Sequence, residues 1–336
     1  MLKLILLIAL ATMGCSFAGC ARMPSGPAAL ALLATGKGNQ LKPFTPAVTW
    51  RQDRQNRHVP MVYFRSPWQS DSPLQVEVPE YVHGRADGER GGGFLFAGRS
   101  LETAKAIGGV RYASKEPPQW VRTDDGGLAM DNPLERDLTV HFRVIPHDRM
   151  LEVRFGLTNG GDKTIRNCWA QICFKGVGEP ALAERHPGSS YMLSRGELIS
   201  WDGAGQDLSW LEKERDERRP AMFKRSCFFL ATVGEGDTVG RLKEQGANPV
   251  FTLGRMIDAP IIAKADADRR RAAIVYSPSG IRGFYNVLQP CFHIDPQLGD
   301  VPPKSTRWAE TWFIFHEGDL KAAMTQLAKA HSAAKK

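Results

Sequence analysis

The chain has 336 residues, of which 42% are hydrophobic and 24% charged, and its formal net charge is +8. These proportions are typical of a globular protein and exclude a disordered or collagen-like chain. Glycine and proline together make up about one residue in six, which favours a turn-rich, mainly β protein. The longest apolar run lies at the N-terminus, so a protein with many membrane-spanning helices is excluded.

The N-terminal segment resembles a targeting signal. Lys3 precedes the uncharged run Leu4–Met13, which is the pattern of a secretory signal. Small residues stand directly before Cys20, as in bacterial lipoproteins, where such a cysteine becomes the lipidated first residue. We therefore predict a signal peptide over residues 1–19 and a periplasmic or cell-envelope lipoprotein held at the membrane surface through Cys20. Processing at Cys15, or simple secretion, is the alternative.

The remaining chain divides by composition into three parts. Residues 20–48 are predicted to form a flexible tether, residues 49–317 a β-sandwich domain, and residues 318–336 a C-terminal helix packed on it. Positive charges are mostly interleaved with acidic ones, and no nucleic-acid-binding module is present. No nucleic-acid partner is therefore predicted.

The cysteines beyond the signal do not form a recognisable motif. No Cys-x-x-Cys occurs, so zinc ribbons and thioredoxin-like redox centres are unsupported, and no cofactor is predicted. In an oxidising compartment disulfides are possible, and free thiols are the alternative. The pairing stays open for Cys168, Cys173, Cys227 and Cys291.

Alternating apolar and polar residues predict many short strands. The clearest pair is Leu138–Ile145 and Leu151–Leu157, joined by a turn that contains Pro146. We expect a four-residue hairpin loop that places Arg143 opposite Glu152 and His141 opposite Arg154. Further strands are predicted at 59–65, 74–78, 93–96, 108–113, 119–123, 164–174, 198–201, 227–233, 272–277, 283–288 and 308–315.

One helix is predicted near the C-terminus. Asp319 is a plausible N-cap, and an apolar stripe with helical spacing follows it at Leu320, Ala323, Met324 and Leu327. More than a dozen strands with one late helix predict a large antiparallel β-sandwich, and a doubly wound α/β fold is not expected. The nucleophile elbow, the P-loop and the H-E-x-x-H motif are absent from the sequence.

The strand around Trp308 carries the first candidate site. Trp308, Glu310 and Trp312 share one face of this predicted strand. Indole rings stack on the apolar faces of sugars, and a carboxylate between them can bond hydroxyls or move a proton. The alternative is a strand buried on both faces, with Glu310 paired to an arginine.

A second candidate site lies between Gln289 and Pro296. The two prolines of this stretch predict a loop, and His293 and Asp295 within it are suited to act as an acid–base pair or as two metal ligands. No third ligand is identifiable, so no metal site is predicted. A structural histidine is the alternative. His83, near a glycine-rich stretch, is a further candidate.

The stretch from Leu151 to Lys163, which ends a strand in Thr-Asn before a polar turn, resembles a hairpin of the galactose mutarotase-like (aldose epimerase-like) proteins. The prolines before Lys304 and the strand after them are similar to that family's closing strands. The resemblance implies a β-supersandwich with a sugar site on its concave face. The strand that carries a catalytic histidine in that family has Trp169 and Gln171 here, and Glu310 matches the family's glutamate only in position.

Together these features predict a protein that binds or processes carbohydrate, an oligo- or polysaccharide, at a site on one sheet face. Trp169, Trp308 and Trp312 are expected to stack on sugar, Gln171 and His83 to contact it, and Glu310 and His293 to act as acid and base if a reaction occurs. The alternative function is a non-catalytic envelope lipoprotein that binds a protein or a cell-wall partner.

Overall fold

The computed structural model describes most of the chain after the predicted tether. The described residues are 45–51, 61–68, 73–88, 94–97, 119–176, 179–184, 186–202, 213, 215–223, 228–233, 250–252, 257–286 and 291–335. The predicted signal peptide, Cys20, Cys227 and the predicted strand 108–113 lie outside these residues.

Within the described residues, the chain forms twenty strands and one α-helix. The helix, α1, spans Leu320–Ala334, and short 3₁₀ turns occur at Pro180–Leu182 and Pro187–Ser189. The strands are β1 Val48–Arg51, β2 Met61–Phe64, β3 Leu74–Ala86, β4 Phe94–Ala97, β5 Val121–Arg122, β6 Leu128–Leu134, β7 Leu138–His147, β8 Met150–Asn159, β9 Ile165–Lys175, β10 Ser190–Ser194, β11 Glu197–Ser200, β12 Arg215–Asp216, β13 Arg219–Phe223, β14 Phe228–Thr232, β15 Val250–Thr252, β16 Ile261–Ala265, β17 Arg271–Tyr276, β18 Gly280–Asn286, β19 Cys291–Val301 and β20 Ser305–Glu317.

The described strands form two nine-stranded sheets and one two-stranded sheet of β12 and β13. Sheet I has the order β1-β2-β3-β9-β19-β18-β14-β15, with β4 beside β3, and sheet II has the order β11-β10-β16-β17-β20-β8-β7-β6-β5. Strand β15 pairs with β14 in parallel, while the other pairings within the two sheets are antiparallel. The predicted fold class, a mainly β antiparallel sandwich with a C-terminal helix, is confirmed.

The core lies between the two sheets, where their apolar faces meet. The ring of Phe313 on sheet II lies 4.9 Å from that of Phe174 and 6.0 Å from that of Phe292, both on sheet I. Because side chains alternate along a strand, the neighbours of these residues point to the outside of the sandwich. This alternation decides which polar residues reach a potential ligand.

The predicted helix is confirmed, and it covers part of the outer face of sheet II. The Asp319 carboxylate accepts a hydrogen bond of 3.0 Å from the Ala322 amide, as expected of an N-cap. The predicted stripe is buried and forms a second apolar cluster with Trp312 and Ile314 of β20. Strand β20 is therefore covered on both faces in its C-terminal half.

The predicted pairing of the β7–β8 hairpin is wrong by two residues. Arg143 lies opposite Arg154, and His141 lies opposite Gly156. The turn is shorter than expected because Arg149 adopts a left-handed conformation with φ 55°. Its buried side chain bonds Glu317 at 2.9 Å, which fixes the turn.

The prediction of a loop over 289–296 is wrong for residues 291–296, which begin strand β19. Pro296 fits into this strand because the pairing is irregular on both sides. The register shifts between Gly280 and Gly283 on β18, and again between Gln297 and Gly299 against β9. Proline is tolerated at such irregularities because they leave ladder bonds unmade.

Candidate functional site

The predicted site residues fall on two different outer faces. His83, Trp169, Gln171 and His293 belong to β3, β9 and β19 of sheet I, and their chain neighbours Val82, Ala170, Ile172 and Ile294 face the core. Trp308, Glu310 and Trp312 belong to β20 of sheet II, and their neighbours Ala309 and Phe313 face the core. The core therefore separates Glu310 from His293, and the prediction that they act together is wrong.

On sheet I, six residues from four strands form a continuous network, which we call the sheet I cluster. Its side chains point to the outside of the sandwich, because side chains alternate along a strand and the neighbouring residues Tyr285 on β18 and Ile294 on β19 face the core. The members are His83 on β3, Trp169 on β9, Arg282 and Phe284 on β18, and His293 and Asp295 on β19.

Trp169 stands between two of these side chains. The His83 ring stacks on the indole with centroids 3.4 Å apart and an interplanar angle of 13°. The Arg282 guanidinium carbon lies 3.9 Å from the same indole centroid. Two groups at these distances cannot share one face of a ring, so they occupy opposite faces. Trp169 therefore holds Arg282 by a cation–π contact and has no free face to offer a sugar.

His293 and Asp295 form a buried hydrogen-bonded pair. His293 Nδ1 and Asp295 Oδ1 are 2.6 Å apart, and both side chains are almost completely buried. Arg282 Nε donates a hydrogen bond to the other carboxylate oxygen, Oδ2. Phe284 stacks on the imidazole at 4.5 Å. In the described part of the chain, His293 Nε2 has no hydrogen-bond partner.

The charges of the cluster set the protonation states of its members. Burial alone would raise the pKa of Asp295, but the Arg282 charge and the two hydrogen bonds hold it below its usual range. Asp295 is therefore an anion that accepts the Nδ1 proton of His293. Burial, reinforced by the Arg282 charge, lowers the pKa of His83 to about 3, so the ring on Trp169 is neutral.

Sequence reasoning missed Arg282 and Phe284. Both lie near Gly283 on β18, where the pairing with β19 is irregular. The side of the sheet to which their side chains point follows from how β18 pairs with β14 and β19. Gln171 shares the outward face of Trp169 and lies opposite Tyr81 of β3. The available signal was the spacing of two between Arg282 and Phe284, but the predicted strand 283–288 began one residue after Arg282.

On sheet II, the three predicted residues have different environments. Trp308 is 40% exposed, Glu310 is half-buried, and Trp312 is 4% exposed. Trp312 packs in the cluster beneath α1, so the prediction that it stacks on sugar is wrong. Burial and the neighbouring Glu152 charge raise the pKa of Glu310. Arg154 lies opposite Glu310 on β8, and its guanidinium bonds Glu152.

The cysteines and the acidic residues form no further centre in the described residues. Cys168, Cys173 and Cys291 are buried free thiols. Burial, with a hydrogen bond to Cys291, raises the pKa of Cys173. Among the described residues, no group of three or more His, Cys, Asp and Glu side chains is arranged to hold a metal ion. No helix of the described part is long and apolar enough to span a membrane.

No protein-family model and no curated protein sequence matches this chain. Similar solved structures include an aldose epimerase homologue from C. elegans, with 9% identity and TM-score 0.39, covering 82% of this chain and 100% of that one. A putative aldose 1-epimerase from Escherichia coli has 13% identity and TM-score 0.35, covering 81% and 100%. A GH36 α-galactosidase from Geobacillus stearothermophilus has 9% identity and TM-score 0.40, covering 84% and 42%.

Proposed function

We propose that this protein binds carbohydrate at the sheet I cluster and that His293 exchanges a proton with the bound sugar. The single observation that supports this most is the bonded pair of His293 and Asp295 beside a fixed arginine. A carboxylate that accepts the Nδ1 proton leaves Nε2 as the atom that takes or gives a proton, as in other oriented histidines. Because Nε2 is buried in the structure, the sugar has to displace neighbouring side chains to reach it. His293 is thus the candidate acid–base residue.

Arg282 is the candidate anchor for sugar oxygens. Its Nε atom bonds Asp295, and within the described residues its two Nη groups have no hydrogen-bond partner. The side chain is 24% exposed, so these donors are within reach of a ligand. Trp169 and Asp295 hold the guanidinium in one place, which reduces the entropy lost on binding. Gln171 and the neutral His83 ring lie on the same face.

Glycan binding by the full chain in detergent tests this proposal. We expect wild type to bind a defined set of glycans on an array, and Arg282→Gln to lose that binding. Arg270→Gln is the matched control because Arg270 is an exposed arginine in the turn between β16 and β17 of sheet II. Binding that is unchanged in Arg282→Gln would contradict the proposal. Capture of a protein or cell-wall fragment without any glycan binding would favour the non-catalytic alternative.

His293→Gln separates binding from proton transfer. Glutamine keeps a polar side chain but cannot exchange a proton near neutral pH. If the site is catalytic, this variant retains glycan binding and loses turnover of the glycan found on the array. If wild type binds that glycan and leaves it unchanged, the protein is a binding protein without this reaction.

We also propose export and lipidation at Cys20, on the basis of the N-terminal sequence. Metabolic labelling of a bacterial host with an alkyne fatty acid tests this directly. We expect label in wild type and in Cys15→Ser, and no label in Cys20→Ser. Label lost only in Cys15→Ser would move the processed residue to Cys15, and an unlabelled wild-type protein would exclude the anchor.

A further inference from the structure

Trp308 is unusual in this fold because it is a large aromatic residue that is exposed near the start of the long strand β20. Among the described residues, the exposed large hydrophobic side chains are Trp308 at 40% and Val121 at 59%. Burying an aromatic side chain is worth several times more than burying a valine methyl group. Strand β20 buries its other aromatic residues, so the exposure of Trp308 calls for an explanation.

The indole of Trp308 lies flat on the sheet. Gly156 stands directly opposite it on β8. A Cβ atom built on Gly156 would lie 2.8 Å from Cε3, 2.9 Å from Cδ2 and 2.9 Å from Cζ3 of the indole. Three ring atoms at nearly equal distances mean that the ring plane faces the glycine. One face of the indole therefore covers Gly156, and the opposite face points to solvent.

A side chain on a neighbouring strand borders the exposed indole of Trp308 on one side. His141 on β7 lies in the same cross-strand row, and its ring centroid is 5.5 Å from that of Trp308. The imidazole is held by Asp131 at 3.0 Å and by the Thr158 hydroxyl at 2.7 Å. Because both of its nitrogens are engaged, His141 is a fixed part of this surface.

The rows on either side of Trp308 carry hydrogen-bonding groups. In one row the hydroxyls of Thr158 and Thr306 are 2.7 Å apart. In the other row Arg143, Arg154 and Glu310 lie side by side on three neighbouring strands. Adjacent rows on one face are about 7 Å apart along the strands. Polar groups in the rows on both sides of Trp308 are therefore within reach of a single sugar ring that lies on the indole. We call Trp308, Gly156, His141 and these two rows the sheet II platform.

The two arginines of the platform are paired with carboxylates within the protein. Arg143 bonds Asp131 at 2.8 Å, and Arg154 bonds Glu152. A ligand rich in hydroxyl groups, which both donate and accept hydrogen bonds, suits paired charges better than a strongly charged ligand does. A protein partner needs a buried interface of about 1,000 Å² or more, built around several apolar anchors. One isolated indole with a polar rim fits a sugar better.

We infer that the sheet II platform is a second carbohydrate site, which stacks one pyranose unit of a neutral glycan on the free face of Trp308. It is separate from the sheet I cluster, because the two sites lie on opposite outer faces of the sandwich. The platform binds the sugar and catalyses no reaction on it. The inference does not depend on the function proposed for sheet I.

Glycan-array binding and titration calorimetry of the full chain test this inference, with neutral hexose oligosaccharides as probes. Trp308→Ala is expected to weaken binding of the recognised oligosaccharide about ten-fold, and Trp308→Phe to weaken it less, because a smaller flat ring remains. Gly156→Ala keeps the indole but pushes it off the sheet, so it should also weaken binding. Val121→Ala, the matched control on the same sheet, should bind as wild type does.

The possible outcomes separate the two sites. Weakened binding in Trp308→Ala and Gly156→Ala, with unchanged thermal unfolding, supports the platform even if Arg282→Gln has no effect. Equal affinity of Trp308→Ala and wild type would overturn it, as would an array on which no neutral glycan binds. A profile in which Arg282→Gln loses glycans and Trp308→Ala loses none would also overturn the platform while leaving the sheet I proposal intact.

Discussion

His293 and Asp295, two residues apart on β19, share a hydrogen bond of 2.6 Å on the outer side of sheet I. Each is buried, and the carboxylate also accepts a bond from Arg282. A buried anion is stable only with such partners, because desolvation otherwise costs several kcal/mol. The pair and the arginine therefore act as one unit, and its disruption has measurable consequences.

Removal of the Asp295 charge is expected to destabilise the protein. Asp295→Asn leaves Arg282 and His293 without their anionic partner, and breaking a buried pair in this way costs about 3–5 kcal/mol. Urea denaturation followed by circular dichroism measures the free energy of unfolding. Asp162→Asn is the control, because Asp162 is 92% exposed and such surface pairs contribute little. Equal stability of both variants would contradict the buried network.

His83 is expected to stay neutral across the physiological pH range. Burial and the Arg282 charge lower its pKa to about 3, so its ring should not titrate between pH 5 and pH 8. NMR spectra of the histidine side chains over this range check the prediction, with His83→Phe used to assign the signal. A His83 midpoint near pH 6.5 would show that the ring is not held against Trp169 as the structure has it.

The buried Lys264 is expected to make the free energy of unfolding depend on pH. Its ammonium group is fully buried between the sheets, where it donates hydrogen bonds to Ser189 Oγ at 2.8 Å and Tyr285 Oη at 3.3 Å. Burial lowers its pKa to about 7 from the model-compound value of 10.5. Between these values the unfolded chain binds the proton that the folded chain has released, so this residue makes the free energy of unfolding rise with pH.

The measurement is urea denaturation of wild type and Lys264→Met at pH 7, 8 and 9. The difference in unfolding free energy should change in favour of wild type as the pH rises, by at most about 1.4 kcal/mol per pH unit. Taking the difference removes the contribution of other titrating groups that both proteins share. A difference that is constant with pH would show that Lys264 has an ordinary pKa in the folded protein.

Two tryptophans of strand β20 should differ sharply in their contribution to stability. Trp312→Ala opens a cavity in the cluster beneath α1 and should cost about 3–5 kcal/mol. Trp308→Ala removes an exposed ring and should cost less than about 1 kcal/mol. Chemical denaturation of the two variants side by side tests the assignment of Trp308 to binding. A loss of several kcal/mol in both would give Trp308 a structural role.

Local patterns in the sequence predicted the elements well. Leu138, Val140 and Phe142 alternate with polar residues, and all three are buried as the alternation requires. The helix stripe after Asp319 was likewise predictable, because capping and periodicity act within a few residues. The fold class followed from the number of such strands and the single late helix.

The partners of each strand were harder to predict. The β7–β8 register depends on Arg149, whose left-handed backbone is fixed by Glu317, 168 residues further along the chain. His293 and Glu310 were expected to act together, but β19 and β20 belong to different sheets. Arg282 was missed for a different reason, because the predicted strand began one residue after it and its bond to Asp295 depends on the pairing of β18 with β19. Such long-range relationships leave no periodic signal.

The most direct test of the account compares four full-length proteins on one glycan array: wild type, Arg282→Gln, Trp308→Ala and the double variant. If the two sites are separate, each single variant loses or weakens a different part of the glycan profile and the double variant loses both parts. A double variant that keeps the complete wild-type profile, or a wild-type protein that binds no glycan, would contradict it.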